Sequence, residues 1–173
     1  MFKMKSLFVP AALVSISFLG VSAADAQNPA CFTLASLQGS WAVVVNYGDN
    51  VAMSVAERVV DADGSWTSTY VLNEPVVGDP NGARALLTGA QKGTYNLNCD
   101  GTGTINRVST SAAGVVTNQV DNFVITGSIV KNGEFIATSI TDASQNPNAL
   151  APGGVFVTRV HSRLPDRPGP TQP

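Results

Sequence analysis

Eight short segments rich in Val, Ile, Thr and aromatic residues recur along this chain, and no other feature of the sequence constrains its fold as strongly. Gly, Asn, Asp and Pro residues bound the segments, a pattern typical of β-strands separated by turns. Asp63-Gly64, Asp100-Gly101 and Asn132-Gly133 each lie between two such segments, and these dipeptides favour tight turns with positive φ. The sequence therefore predicts antiparallel hairpins between consecutive strands.

Few segments of this sequence have a pattern typical of helices. Beyond residue 26, no segment shows a 3.6-residue apolar period longer than two turns, so parallel strands joined by crossover helices are excluded. About eight antiparallel strands in sequential order predict an all-β fold, an up-and-down β-barrel, with a β-sandwich as the alternative. The barrel is favoured because the tight hairpins imply an up-and-down order, and it also leaves no exposed sheet edge.

Two regions lack a clear alternation of apolar and polar residues. Residues 78–91 are interpreted as a loop with a short helical turn or a broken strand, and residues 142–154 as a long polar loop before the last strand. Long loops on a small barrel often flank its open end. We therefore expect both regions at an opening of the barrel.

The two ends of the chain predict export. Two lysines precede an apolar stretch of about 16 residues, shorter than the roughly 20 that a membrane-spanning helix needs, and Ala-Asp-Ala at 24–26 fits a signal-peptidase site. We predict a signal peptide over 1–26, one domain over 27–162 and a disordered proline-rich tail over 163–173. The expected location is secreted or periplasmic, without a membrane anchor after cleavage.

The charge of the exported chain excludes several partners. Removal of Lys3, Lys5 and Asp25 leaves 8 basic and 11 acidic residues, a formal charge of −3. No basic stripe remains for nucleic acid or anionic lipid. In an oxidising compartment a pair of cysteines is more often bridged than free, so a Cys31–Cys99 disulfide is favoured over two buried thiols.

The first strand carries the one family resemblance in the chain. Leu37-Gln38-Gly39-Ser40-Trp41 resembles the Gly-x-Trp element of the lipocalins and the wider calycin group. This resemblance implies a barrel whose narrow end is closed by Trp41, with Arg159 of the last strand packed over the indole. It also implies a small apolar ligand in the barrel. The layout is similar, in addition, to a group of small exported bacterial β-proteins without a settled activity.

Alternation along the strands predicts the side chains that line the interior. In a hollow barrel they would contact a small apolar ligand. The predicted ligand-binding residues are Val43, Val45, Tyr70, Tyr95, Leu97, Phe123 and Ile125. Side chains of this size could instead fill the interior, and the protein would then be a non-enzymatic structural or interaction protein of the envelope or exterior.

Catalytic chemistry has few candidates here. The single histidine, His161, lies at the end of the last strand segment, where we expect it to be solvated, and no metal-ligating motif or nucleophile turn occurs. Carboxylates such as Glu57, Asp61 and Asp121 could form an acid/base pair, but surface positions are the ordinary case. We predict no catalytic residues, no metal, no cofactor and no enzymatic activity.

Charged residues inside strand segments are less ordinary. Glu57 and Arg58 are adjacent, so one of them points inward if both lie in regular strand. An inward Arg58, Arg107 or Glu57 would either pair with another charge or contact the polar head group of a ligand, because an unpaired buried charge is costly.

Overall fold

The structure is a computed structural model that describes residues 31–48, 52–76, 78–147 and 155–165. The predicted signal peptide, 1–26, and residues 166–173 of the predicted tail lie outside these described residues. The last strand continues through Arg163. Its end is one residue beyond the predicted domain boundary at 162.

The described residues form the predicted all-β fold, a closed antiparallel barrel in which every strand pairs with its neighbours in the chain and the first pairs with the last. A short 3₁₀ turn, Leu34–Leu37, precedes the barrel. The strands are β1 (Gly39–Asn46), β2 (Met53–Val60), β3 (Ser65–Pro75), β4 (Arg84–Leu97), β5 (Thr102–Ser111), β6 (Val116–Lys131), β7 (Glu134–Ser144) and β8 (Thr158–Arg163).

The three predicted hairpins are confirmed, and all three turns lie at the same end of the barrel. Asn132 and Gly133 both have positive φ, 54° and 83°, as a two-residue hairpin loop requires. At the other two turns the side chains of Asp63 and Asp100 accept backbone hydrogen bonds from the residues two positions ahead, at 2.8 and 2.9 Å. The connections β1–β2, β3–β4, β5–β6 and β7–β8 therefore lie at the opposite end.

The prediction of loops over 78–91 and 142–154 is wrong in part. β4 begins at Arg84, so the first connection is shorter than expected. β7 continues to Ser144, so the second connection begins later than expected. Gly89 shows why the first region escaped detection. The ring of Tyr70 packs so closely on it that a Cβ there would clash, and the strand needs glycine where a β-prone residue would have made it visible.

The end with the tight turns is closed by Trp41, which is fully buried. Its Nε1 donates a hydrogen bond to the carbonyl of Leu37 at 2.9 Å. The guanidinium of Arg163 lies over the indole, 4.6 Å from the ring centroid, and also donates to the carbonyls of Ser36, Gln38 and Ala137. Arg163, not Arg159 as the resemblance implied, is therefore the cation over Trp41.

Gly39 allows Arg163 to take this position. It has φ of +133°, and a Cβ on it would lie 2.5 Å from Arg163 Nη1. The glycine of the Gly-x-Trp element therefore allows both the positive φ and the close approach of the Arg163 guanidinium.

The predicted disulfide is present and fastens the N-terminal segment to the closed end. Cys31 and Cys99 are bonded, with Cα atoms 4.6 Å apart. Phe32 N donates to Cys99 O at 3.1 Å, and the Phe32 ring stacks on Phe135 with centroids 4.9 Å apart. A disulfide fits a protein of an oxidising compartment.

Candidate ligand-binding site

A cavity of about 290 Å³ lies at the open end of the barrel, opposite Trp41. Its walls come from β3, β4, β5 and β6, from Tyr47 directly after β1, and from the β5–β6 connection. The apolar and aromatic part of the lining is Tyr47, Tyr70, Leu72, Leu87, Ala112, Ala113 and Val115. The polar part is Glu74, Thr88, Gln91, Arg107, Ser109, Ser111 and Thr117. Small-molecule pockets combine apolar walls with convergent polar groups, and this partly open cavity has both kinds of lining.

Below this cavity the barrel interior is occupied by a network of charged side chains. Arg107 donates hydrogen bonds to the Asp121 carboxylate from Nε and Nη2, at 3.0–3.1 Å. Arg159 Nη1 bridges Asp121 at 3.2 Å and Asp142 at 2.6 Å. Asp142 also accepts a hydrogen bond from His161 Nε2 at 2.7 Å. The chain of contacts runs from the floor of the cavity at Arg107 into the core at His161.

Every member of this network is buried, and the pKa values of its groups are determined by burial and by the neighbouring charges and hydrogen bonds. Burial, together with the nearby charge of Arg159, lowers the pKa of Arg107 to about 10. Burial works against the charge of Asp142 as well, but the hydrogen bond from His161 and the charge of Arg159 outweigh it and lower its pKa to about 2. The carboxylate of Asp142 is therefore ionised at neutral pH.

His161 is fully buried, so the expectation of a solvated histidine is wrong. Burial and the charge of Arg58 lower the pKa of His161 to about 4, although the hydrogen bond to Asp142 acts in the opposite direction. The imidazole is neutral at pH 7 and carries its proton on Nε2, the nitrogen that faces the ionised Asp142. Asp121, expected at the surface, is buried too.

The stability of the fold should fall as the pH drops from about 6.5 to about 4. The pKa of His161 is about 4 in the folded state against about 6.5 in an unfolded chain, so the unfolded state takes up a proton first and is favoured by acid. Replacing His161 with glutamine, whose Nε2 can still donate to Asp142, should remove about 2 kcal/mol of the loss between about pH 7 and about pH 4.5. Guanidinium chloride unfolding at both pH values measures this difference. An equal loss in His161→Gln and the wild type would contradict it.

Arg58 points inward, as the alternation with Glu57 predicted for one of the two, and lies deeper than the cavity. Its guanidinium is 3.8 Å from the ring centroid of Trp66, and its Nη1 donates to the hydroxyl of Tyr95 at 2.7 Å. Stacking on an indole and a hydrogen bond to a phenol stabilise this buried cation, and no carboxylate of the described residues forms an ion pair with it.

Of the seven residues predicted to bind a ligand, Tyr70 borders the cavity. The others lie below it. Val43, Val45, Tyr95 and Phe123 are buried in the core, and Leu97 and Ile125 pack against that core. Alternation also places Tyr47 and Leu72 on the inward face, but the predicted ligand-binding residues did not include them. Ser109 and Thr117 were not singled out, although their inward parity on the strands was the available signal.

Larger depressions occur on the outer wall of the barrel, but they do not enclose a site. Grooves of about 760 and 510 Å³ run along the outside of β2 to β5 and are lined largely by outward side chains such as Val55, Thr69 and Thr110. Both are open to solvent along their length. The smaller cavity at the barrel mouth is the better candidate because side chains surround it on several strands.

Comparison with models of known protein families and with curated proteins gives no match for this sequence. Among the described residues, no helix has the length and apolar character needed to cross a membrane. The same residues contain no group of three or more His, Cys, Asp or Glu side chains placed to hold a metal ion.

Proposed function

We propose that this protein is an exported, non-enzymatic binding protein that holds a small, largely apolar molecule in the cavity at the open end of its barrel. The observation that carries the proposal is the cavity of about 290 Å³, walled by Tyr47, Tyr70 and Leu72. Its volume is at the small end of the range for ligand pockets, which begins at about 300 Å³. The ligand is therefore small, with roughly the bulk of a fused aromatic ring pair or a medium-length acyl chain.

Burial of the ligand supplies the affinity. Removing about 200 Å² of apolar surface from water yields on the order of 5 kcal/mol before the entropy cost of binding. The tyrosines add hydrogen-bonding capacity to these walls. Burial raises the pKa of Tyr47 and of Tyr70 above the ordinary value, so both hydroxyls keep their protons at neutral pH.

The closed end of the barrel supports a place in the calycin group. Trp41, the 3₁₀ turn before it and Arg163 over the indole form one interlocked plug, in agreement with the Gly-x-Trp resemblance. The disulfide supports export. In this proposal, Trp41 closes one end of the barrel and the ligand enters at the other end, beside Tyr47.

Filling the cavity should abolish binding. Thr117 lines the cavity from β6, whereas its neighbour Val116 points outward and is exposed. A bulky indole in Thr117→Trp occupies the ligand's space, and Val116→Trp adds the same group to the outer face as a matched control. Native mass spectrometry of protein purified from its own host should show a bound small molecule in the wild type and in Val116→Trp, but not in Thr117→Trp.

A second measurement detects binding even when the natural ligand is lost during purification. Calorimetric titration with a panel of fatty acids and aromatic compounds is preferable to intrinsic fluorescence, because Trp41 and Trp66 are buried below the cavity. A bare chain in the mass spectrum, combined with no heat of binding from the whole panel, would contradict the proposal.

A non-enzymatic interaction protein of the envelope or exterior is the second candidate. The filled interior below the cavity favours it, since charged and aromatic side chains occupy most of the space that a larger ligand would need. Failure of both binding measurements would leave this candidate in place.

A further inference from the structure

We propose that the ligand is an amphipathic carboxylate, whose acidic group contacts Arg107 on the cavity floor and whose apolar body lies between Tyr47 and Tyr70. This inference rests on the proposed binding function and names the chemical class of the ligand. It is carried by the position, hydrogen bonds and charge of Arg107.

Arg107 is held in place before any ligand arrives. Asp121 accepts from its Nε and Nη2, so the guanidinium plane is fixed. Nη1 makes a long hydrogen bond, 3.5 Å to Ser109 Oγ. Nη1 is therefore the nitrogen best able to donate to an incoming oxygen, and an arginine already oriented by a carboxylate binds an anion with little reorganisation.

Ser109 and Gln91 extend the same polar floor. Ser109 Oγ accepts a hydrogen bond from Gln91 Nε2 at 3.0 Å and the long contact from Arg107. Neither contact uses the proton of the Ser109 hydroxyl itself, which remains available to donate to a second oxygen of the same ligand group. Arg107 and Ser109 both line the cavity, so a carboxylate can face two donors at once.

The buried interior contains one more cation than carboxylates. Among the described residues, three guanidinium groups, on Arg58, Arg107 and Arg159, are buried with the two carboxylates of Asp121 and Asp142, and His161 is neutral. The unmatched cation is Arg58, which lies deeper than the cavity and is stabilised by aromatic side chains. The contact proposed for the ligand therefore depends on the Nη1 donor of Arg107 and not on the net charge of the interior.

Glu74 sets the orientation of the ligand. It lines the cavity from the part of β3 beyond Leu72, and it is only half-buried. A negative group at this position repels an acidic group left near the entrance, while water screens the repulsion. The acidic end of the ligand is thus directed to the floor and the apolar end outward.

The test compares three ligands with the same chain and different ends: decanoate, decanamide and decanol. Isothermal titration calorimetry on the full wild-type protein should give an affinity for decanoate about 10- to 100-fold above those for the two neutral compounds, the effect of one charge-assisted hydrogen bond. Thr117→Trp should abolish decanoate binding and Val116→Trp should preserve it. The ligand series leaves Arg107 unchanged. This matters because removing Arg107 would also take away one of the two arginine partners of Asp121.

Each outcome has a defined meaning. Equal affinity for all three compounds, or tighter binding of the neutral ones, overturns the carboxylate inference and leaves the proposed binding function intact. Decanoate binding that persists in Thr117→Trp also overturns it, because the contact then lies outside the cavity. Absence of binding by all three compounds also overturns the carboxylate inference, whereas the proposed binding function is overturned only if the mass spectrum and the whole ligand panel are negative as well.

Discussion

Replacing Asp142 with asparagine should destabilise the protein by about 3–5 kcal/mol. Asp142 is 2% exposed and joins Arg159, at 2.6 Å, to His161, at 2.7 Å. The amide has nearly the same shape, but it removes one of the two buried negative charges and leaves the interior with a larger excess of positive charge. Removing one partner of a buried pair costs far more than the pair contributes, because the other charge stays buried.

The exposed Glu134 provides the control for this prediction. Glu134→Gln removes one negative charge from the chain, as Asp142→Asn does, but at the surface, where the expected change is within about 0.5 kcal/mol. Guanidinium chloride unfolding at neutral pH, followed by circular dichroism with the disulfide intact, measures both variants. Equal stability of the two variants would show that Asp142 is not part of a buried ionic network.

Trp41→Ala should cost about 3–5 kcal/mol of unfolding free energy. The indole is fully buried, donates to Leu37 O, and supports the guanidinium of Arg163. Its loss leaves a cavity under the 3₁₀ turn and removes the surface on which Arg163 stacks. The same unfolding measurement gives the magnitude.

Val44, on the outward face of β1 and 47% exposed, is the matched site for a truncation on the same strand. Val44→Ala should cost less than about 1 kcal/mol, since it changes strand propensity with little buried volume. A loss below about 1 kcal/mol for Trp41→Ala itself would count against its role as the plug.

The fold was largely predictable because its determinants are local in the chain. The Asp-Gly and Asn-Gly turns define hairpins over a few residues, and alternation from Trp41 to Tyr47 identifies the inward face of β1. The strand β4 was harder to see. Gly89 and Gly93 lie where the rings of Tyr70 and Trp66 need space, so the partner strand, which sequence reading does not locate, determines these residues.

The interior was less predictable because its contacts join distant strands. Arg159 reaches Asp121 on β6 and Asp142 on β7, and only this meeting makes an inward arginine tolerable. Hydrophobicity alone would place Phe156 and Val160 of the last strand segment inward. Both are more than half exposed. The overlooked signal was that Arg159, His161 and Arg163 occupy alternate positions of β8, so their side chains leave the same face of the strand.

The arrangement of β8 has a consequence for the order in which the chain can fold. Of the eight strands, β8 is synthesised last, yet it pairs with the first strand, brings Arg159 and His161 into the interior and places Arg163 over Trp41. Until it is made, β1 has an open edge, Trp41 lacks its covering cation, and Asp142 lacks both of its recorded partners. A chain that terminates before Thr158 would thus be an open sheet with an unpaired edge, in which Asp142 lacks Arg159 and His161, and the barrel closes only after β8 has been made.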